Sequence, residues 1–136
     1  MNGLSNENQV IEIADRLSEI ADKAMDATIA GIKAGKLSEK QAQEAISHIQ
    51  QLSLLSSGLL TQAVKSIVAG LKISQAKLTE LIDKAKTRIE AIETAAKFID
   101  LLVDVLAFAA AAITGKPDTI IATALEIGKD VGFEIG

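Results

Sequence analysis

His48 is the single imidazole of the chain, and three acids, Glu126, Asp130 and Glu134, recur at every fourth position near its C-terminal end. A lone histidine can serve as a general base or a metal ligand, and an acidic row can gather a cation. Neither has the partners such work needs. His48 sits in the polar row Gln41, Glu44, His48, Gln51, with no grouping of serine, histidine and aspartate around it. The acidic row has no histidine, cysteine or loop oxygens beside it, and reads as a solvated face. The chain contains no cysteine, which removes thiol nucleophiles, disulfides and thiolate metal sites. No glycine-rich phosphate loop follows a strand pattern. The expectation is a non-enzymatic protein with no cofactor, no metal and no small-molecule substrate.

The basic residues are equally uninformative about ligands. Lys33, Lys36 and Lys40 gather around one expected turn, where positive charge favours a helix C-terminus. Lys72, Lys77, Lys84 and Arg88 are interleaved with acids, as on a solvated helix face. The net charge of −4 argues against nucleic acid, which rewards clustered Lys and Arg. The opening "MNGLSNENQ" has neither a basic n-region nor an apolar h-region, so no cleavable secretory signal is expected. That reading places the protein in the cytoplasm or on a signal-independent export route.

What remains is apolar and helical. Hydrophobic residues make up 49% of the 136, with no Trp or Tyr, three Phe and one Pro, and the apolar part is mostly Ala, Leu and Ile. Such a composition favours helices over strands, and more than about three-quarters of the chain is expected to be helical. The fold class read from the sequence is all-α: an antiparallel bundle of long amphipathic, coiled-coil-like helices, closed by a short apolar C-terminal hairpin, over residues 1–136 as one domain.

Four helices are expected, at about 6–34, 38–70, 74–114 and 118–135. The first starts at Ser5 or Asn6 and ends at Gly35, with a stripe of Val10, Ile13, Leu17, Ile20, Ala24, Ala27, Gly31 and Ala34. Its side chains shrink along the stripe, so a neighbour must approach most closely near the C-terminal end. The second opens on a capping box, Ser38 and Gln41. Its continuation is ambiguous, because Ser56-Ser57-Gly58 and Gly70 to Ser74 both carry break signals. The third shows an unbroken 4,3 spacing through Leu78, Ile82, Ala85, Ile89, Ile92, Ala96, Ile99, Val103, Leu106, Ala110 and Ile113. That is the signature of a coiled-coil seam, and Ile89 and Ile92 at its middle should both be buried. Gly115 then ends the helix and Pro117 opens the fourth. There the row Ala124, Gly128, Gly132, Gly136 permits close backbone approach.

The stretch 98–135 concentrates the apolar content, with Leu101, Leu102, Val105, Phe108, Ile120 and Ile121 in it and no polar side chain from Val105 to Ile113. A helix apolar all round needs covering. The favoured expectation is a helical interaction or assembly subunit, a homo-oligomer or the partner of another helical protein, joined through the seam. The alternative is a membrane-active protein of pore-forming or translocator type that inserts the 98–135 hairpin. In outline only, long amphipathic helices plus an apolar hairpin, the layout resembles helical pore-forming toxins and secretion translocators. Phe98 to Ile113 spans about 24 Å, short of the roughly 30 Å of a bilayer core, and includes Asp100 and Asp104. Those two aspartates are the groups expected to be pH-sensitive, since neutralising them lowers an insertion cost.

Overall fold

The computed structural model describes residues 2–135, of which 75% are helical with no strand among them. Five helices are present in that range: α1 (Glu7–Lys33), α2 (Glu39–Thr61), α3 (Gln75–Glu90), α4 (Ala95–Thr114) and α5 (Pro117–Val131). They form a closed ring in the order α1, α2, α4, α5, α3 and back to α1, with the apolar core inside.

α1 begins where Asn6 caps it, its Oδ1 accepting from the Gln9 amide at 2.9 Å, while the Gln9 Oε1 accepts from the Ser5 amide at 2.9 Å. Val10, Ile13, Leu17, Ile20, Ala24, Ala27 and Gly31 are all buried, and only Ala34 of the expected stripe is exposed. The taper has its predicted effect at Gly31. A Cβ there would lie 2.9 Å from Leu37 Cδ1 and 3.2 Å from Ile92 Cδ1, so two apolar side chains fill the space a larger residue would need.

α3 runs parallel to α1 in constant register. Gln75 Nε2 donates to Gln9 O at 3.0 Å, Arg16 pairs with Asp83, and Lys86 Nζ pairs with Glu19 Oε2 at 3.2 Å, offsets of 66, 67 and 67 residues. These pairs are half-exposed and fix register more than they stabilise.

Two expected boundaries are corrected. The second helix stops at Thr61, not near residue 70; Ser56-Ser57-Gly58 stays helical, and Gln62 to Ser66 forms a tight turn. The reason is burial. Val68, Leu71 and Ile73 reach the core only from an irregular connector, which continued helix would carry away. The third expected helix is two helices. Ala91 leaves helical geometry and Thr94 starts α4, its side chain accepting from the Lys97 amide. One helix over 74–114 would be about 60 Å long and overhang α1, about 40 Å. Folding back lets α4 pack on α2 and α5 instead, and the continuous coiled coil is not formed.

The ring is closed at one end by the N-terminal strap. Gly3 N donates to Ile73 O at 2.7 Å, Val68 N donates to Leu4 O at 2.7 Å, and Leu4 N donates to Gln75 Oε1 at 3.0 Å. Leu4 has φ 53, a left-handed backbone that costs about 1–2 kcal/mol for a residue with a Cβ, yet its side chain is 1% exposed. Leu4→Ala is expected to cost about 2–5 kcal/mol, because it removes the buried side chain and keeps the strain. Leu4→Gly should be no worse than Leu4→Ala, the reverse of the usual order, when denaturant midpoints are compared.

Candidate functional site

α4 and α5 are joined by Gly115, left-handed at φ 69, and by Lys116, with Pro117 as the first residue of α5, as the turn signals predict. α5 ends earlier than expected, at Val131. Gly132 is its left-handed cap, with open space around its Cβ position, so it is no close-packing residue. Ala124 and Gly128 are buried. A Cβ on Gly128 would lie 2.6 Å from Phe133 O, so the close approach is made by the chain's own tail rather than by another helix. That tail bonds back through Phe133 N to Gly128 O at 2.9 Å. Two lysines of α3 hold it: Lys77 Nζ donates to Ile135 O at 3.1 Å, and Lys84 Nζ lies 5.6 Å from the Phe133 ring centroid. Gly136, the last of the small-residue row, lies outside the described residues.

The seam residues separate into two environments. Leu78, Ile82, Ala85 and Ile89 are buried inside this chain's own core. Ile92 falls in the connector and is half-buried, against the expectation that it matches Ile89. Beyond the break the same 4,3 row is no longer the core face: Ile99, Leu106 and Ile113 are half-buried, and Ala96, Val103 and Ala110 are exposed. The buried face of α4 is instead Phe98, Leu101, Leu102, Val105, Phe108, Ala109, Ala111 and Ala112. On α5, Ile120 is buried and Ile121 half-buried. Most of the hairpin's apolar surface is therefore covered within one chain. The solvent-facing residues of α4 begin with Ala96, Lys97 and Asp100 and continue as a row of small apolar residues, Val103, Ala107 and Ala110, to Thr114. Sequence reasoning did not flag Leu54, 74% exposed, or Leu60 and Val64 beyond it on α2 and its turn.

Of the groups able to do chemistry, His48 is half-buried rather than solvated, with Nδ1 enclosed and without a hydrogen-bond partner. The acidic row is solvated, as expected, but only its first two members lie on the helix. Glu126, paired with Lys129 at 3.3 Å, and Asp130 are exposed on α5, and Glu134 is exposed in the tail beyond the helix. Asp104, on α4, is half-buried, while Asp100 is exposed. Burial pushes the Asp104 carboxyl up from the usual 3.8 to about 7, helped by the neighbouring acids Asp130, Glu126 and Asp100. A cleft of about 270 Å³ opens beside the seam, lined by Arg88, Lys97, Asp100 and Asp130 among others. Among the described residues no cluster of His, Asp or Glu is placed to hold a metal ion, and no helix is long and apolar enough to cross a membrane. Comparison with protein-family models, curated proteins and solved structures finds no match to this chain.

Proposed function

We propose that this protein is a non-enzymatic helical interaction subunit, which joins a second copy or another helical protein through the outer face of α4. The observation that supports this reading is the exposed row of Val103, Ala107 and Ala110, flanked by half-buried Ile99, Leu106 and Ile113. Small side chains let a partner helix come close, and the exposed acid of this face, Asp100, lies one turn before the row, at its edge. Asp104, beside it in the chain, is half-buried.

The test is native mass spectrometry with sedimentation at micromolar concentration, for the wild type and for Ala110→Asp. Ala110 is exposed, so the substitution leaves the monomer folded by circular dichroism while abolishing an assembly built on this face. A wild type that is monomeric alone, and equally monomeric with helical partners, sinks the reading. Liposome flotation forms the second arm. The uncharged run from Val105 to Ile113 is the feature that favours membrane insertion, and flotation abolished by Ala110→Asp would replace the assembly reading with that one.

A further inference from the structure

We infer that the Ala91–Thr94 connector is a hinge that straightens, joining α3 and α4 into one helix and handing the α4–α5 hairpin to a second copy of this chain, whose own hairpin is received in exchange. The local sequence favours the straight form. Ala91, Ile92 and Glu93 all suit a helix, and no glycine or proline lies between Gln75 and Thr114. The 4,3 row passes through the break without a slip, from Ile89 to Ile92, Ala96 and Ile99. The end of α3 is also left open. α1, α2, α4 and α5 each close with a cap amide bonded to a carbonyl of the last turn, whereas α3 reaches Ala91 with no such bond. The connector itself is lightly held: Lys36 Nζ donates to Ile92 O at 3.4 Å, and the Thr94 side chain caps α4. A hollow of about 340 Å³ separates it from α1, and one of about 270 Å³ from α4 and α5. Ala91, Ile92 and Glu93 line both, so the backbone has room to change course.

Helical geometry makes the partner a second copy. At about 100° per residue, Phe98, Leu102 and Val105 lie about 160–220° round a straight helix from Ile89. Those three belong to the buried face of α4, and Ile89 belongs to that of α3. A straightened chain therefore points the two faces in opposite directions and cannot bury both in its own core. The surface vacated on α2 and α3 fits one segment already seated there, the α4–α5 hairpin. A second copy supplies that same hairpin, and the contacts away from the hinge are kept. Lys77 and Lys84 of one copy then hold the tail of the other, at Ile135 O and at the Phe133 ring. The overhang that folds a single chain back disappears, because the far half of each long helix lies on the other copy. Where the two helices cross, Ile92, Ala96 and Ile99 come into line with Ile89 and gain a neighbour. In one chain they are half-buried or exposed.

Both forms bury the same hairpin, so the balance rests on the hinge and on concentration. The Thr94 cap and the freedom of the connector favour the folded-back monomer. The backbone bonds of a continuous helix, and mass action, favour exchange. This goes beyond assembly through the outer face of α4, which it does not use: Val103, Ala107 and Ala110 keep the exposure they have in one chain.

The test is refolding of the full chain from urea at low and at high protein concentration, followed by size-exclusion chromatography with light scattering. A dimer formed at high concentration is expected, and it should persist on dilution, because return to the monomer requires the hairpin to undock. When the dimer is made from isotope-labelled and unlabelled chains, Lys84–Phe133 nuclear Overhauser contacts should appear between chains. The cap at Thr94 exists only in the folded-back form. Thr94→Ala should therefore tighten self-association at least about tenfold, one cap being removed at each of two hinges. Glu93→Pro should fold as a monomer, since Glu93 is exposed and its amide donates no hydrogen bond among the described residues. It should abolish the dimer, because proline bars a continuous helix. If that variant fails to fold, the labelled wild type and Thr94→Ala carry the test without it. Ala110→Asp breaks an assembly built on the outer face of α4 but should leave the exchanged dimer intact, so the two readings fail separately. Four outcomes overturn the proposal: a wild type and Thr94→Ala variant that both stay monomeric, Lys84–Phe133 contacts confined within chains, a Glu93→Pro variant that dimerises like the parent, or a dimer that Ala110→Asp abolishes.

Discussion

Ile89→Asp is expected to cost about 4 kcal/mol or more, enough to unfold a domain of this size, whereas Ile92→Asp, three residues later, costs about 1 kcal/mol. Ile89 is 0% exposed in the last turn of α3, so an aspartate there places an unpaired charge in the core. Ile92 lies past the end of that helix, half-buried in the connector, and touches the surface hollow left by Gly31. A shorter polar side chain at 92 can turn to solvent and forfeits only part of an apolar contact. Urea midpoints followed by circular dichroism check this directly. Equal losses at both positions would mean that α3 and α4 are one continuous helix, and that the break at Ala91 to Thr94 is wrong.

The second large effect is at Gly128. Gly128→Leu is expected to cost about 3 kcal/mol or more, and Gly128→Ala about 1–2 kcal/mol, although alanine gains about 1 kcal/mol of helix propensity over glycine. The obstacle is a backbone atom. The new Cβ would sit 2.6 Å from Phe133 O, and Phe133 N is simultaneously bonded to Gly128 O at 2.9 Å. A flexible side chain could swing aside, but this turn of main chain has to detach, and it takes buried Ile135 with it. The signature to look for in NMR spectra is loss of the Lys84–Phe133 proximity in an otherwise folded protein. An alanine variant more stable than the parent, with the tail still docked, would show that the turn yields at little cost.

Much of the fold could be read from local chemistry. The Asn6 and Ser38 caps, the left-handed Gly35 and Gly115, and Pro117 at the start of α5 all do what their types imply. The stripe of α1 is legible because polar residues outline it on every turn. The core face of α4 was not legible for the opposite reason. From Val105 to Ile113 every phase is apolar, so the row Leu106, Ala110, Ile113 and the row Val105, Phe108, Ala109, Ala112 are equally good helical stripes. Only the fold-back at Ala91 to Thr94, marked by a threonine cap and by no glycine or proline, decides between them. Two further features depend on distant packing. The connector 67–74 is irregular because the core needs Val68, Leu71 and Ile73. The raised Asp104 carboxyl depends on burial and on acids of α5, whose spacing from it along the chain carries no signal.

The N-terminal strap has a consequence for kinetics. Leu4 N and Gln75 Oε1 are separated by 71 residues, so their bond closes one of the longest loops in the chain, whereas the α1–α2 hairpin turns back within a few residues. Loop closure of that length is entropically unfavourable until the elements between the two ends are already in place. The strap therefore docks after the folding barrier has been crossed. Stabilisation added on that side of the barrier slows unfolding and leaves the folding rate nearly unchanged. In stopped-flow experiments Leu4→Ala should raise the unfolding limb of the chevron and superimpose on the wild type along the folding limb. The first residues of the chain thus set the lifetime of the folded bundle, and a protease cutting before Asn6 would shorten that lifetime without touching any helix.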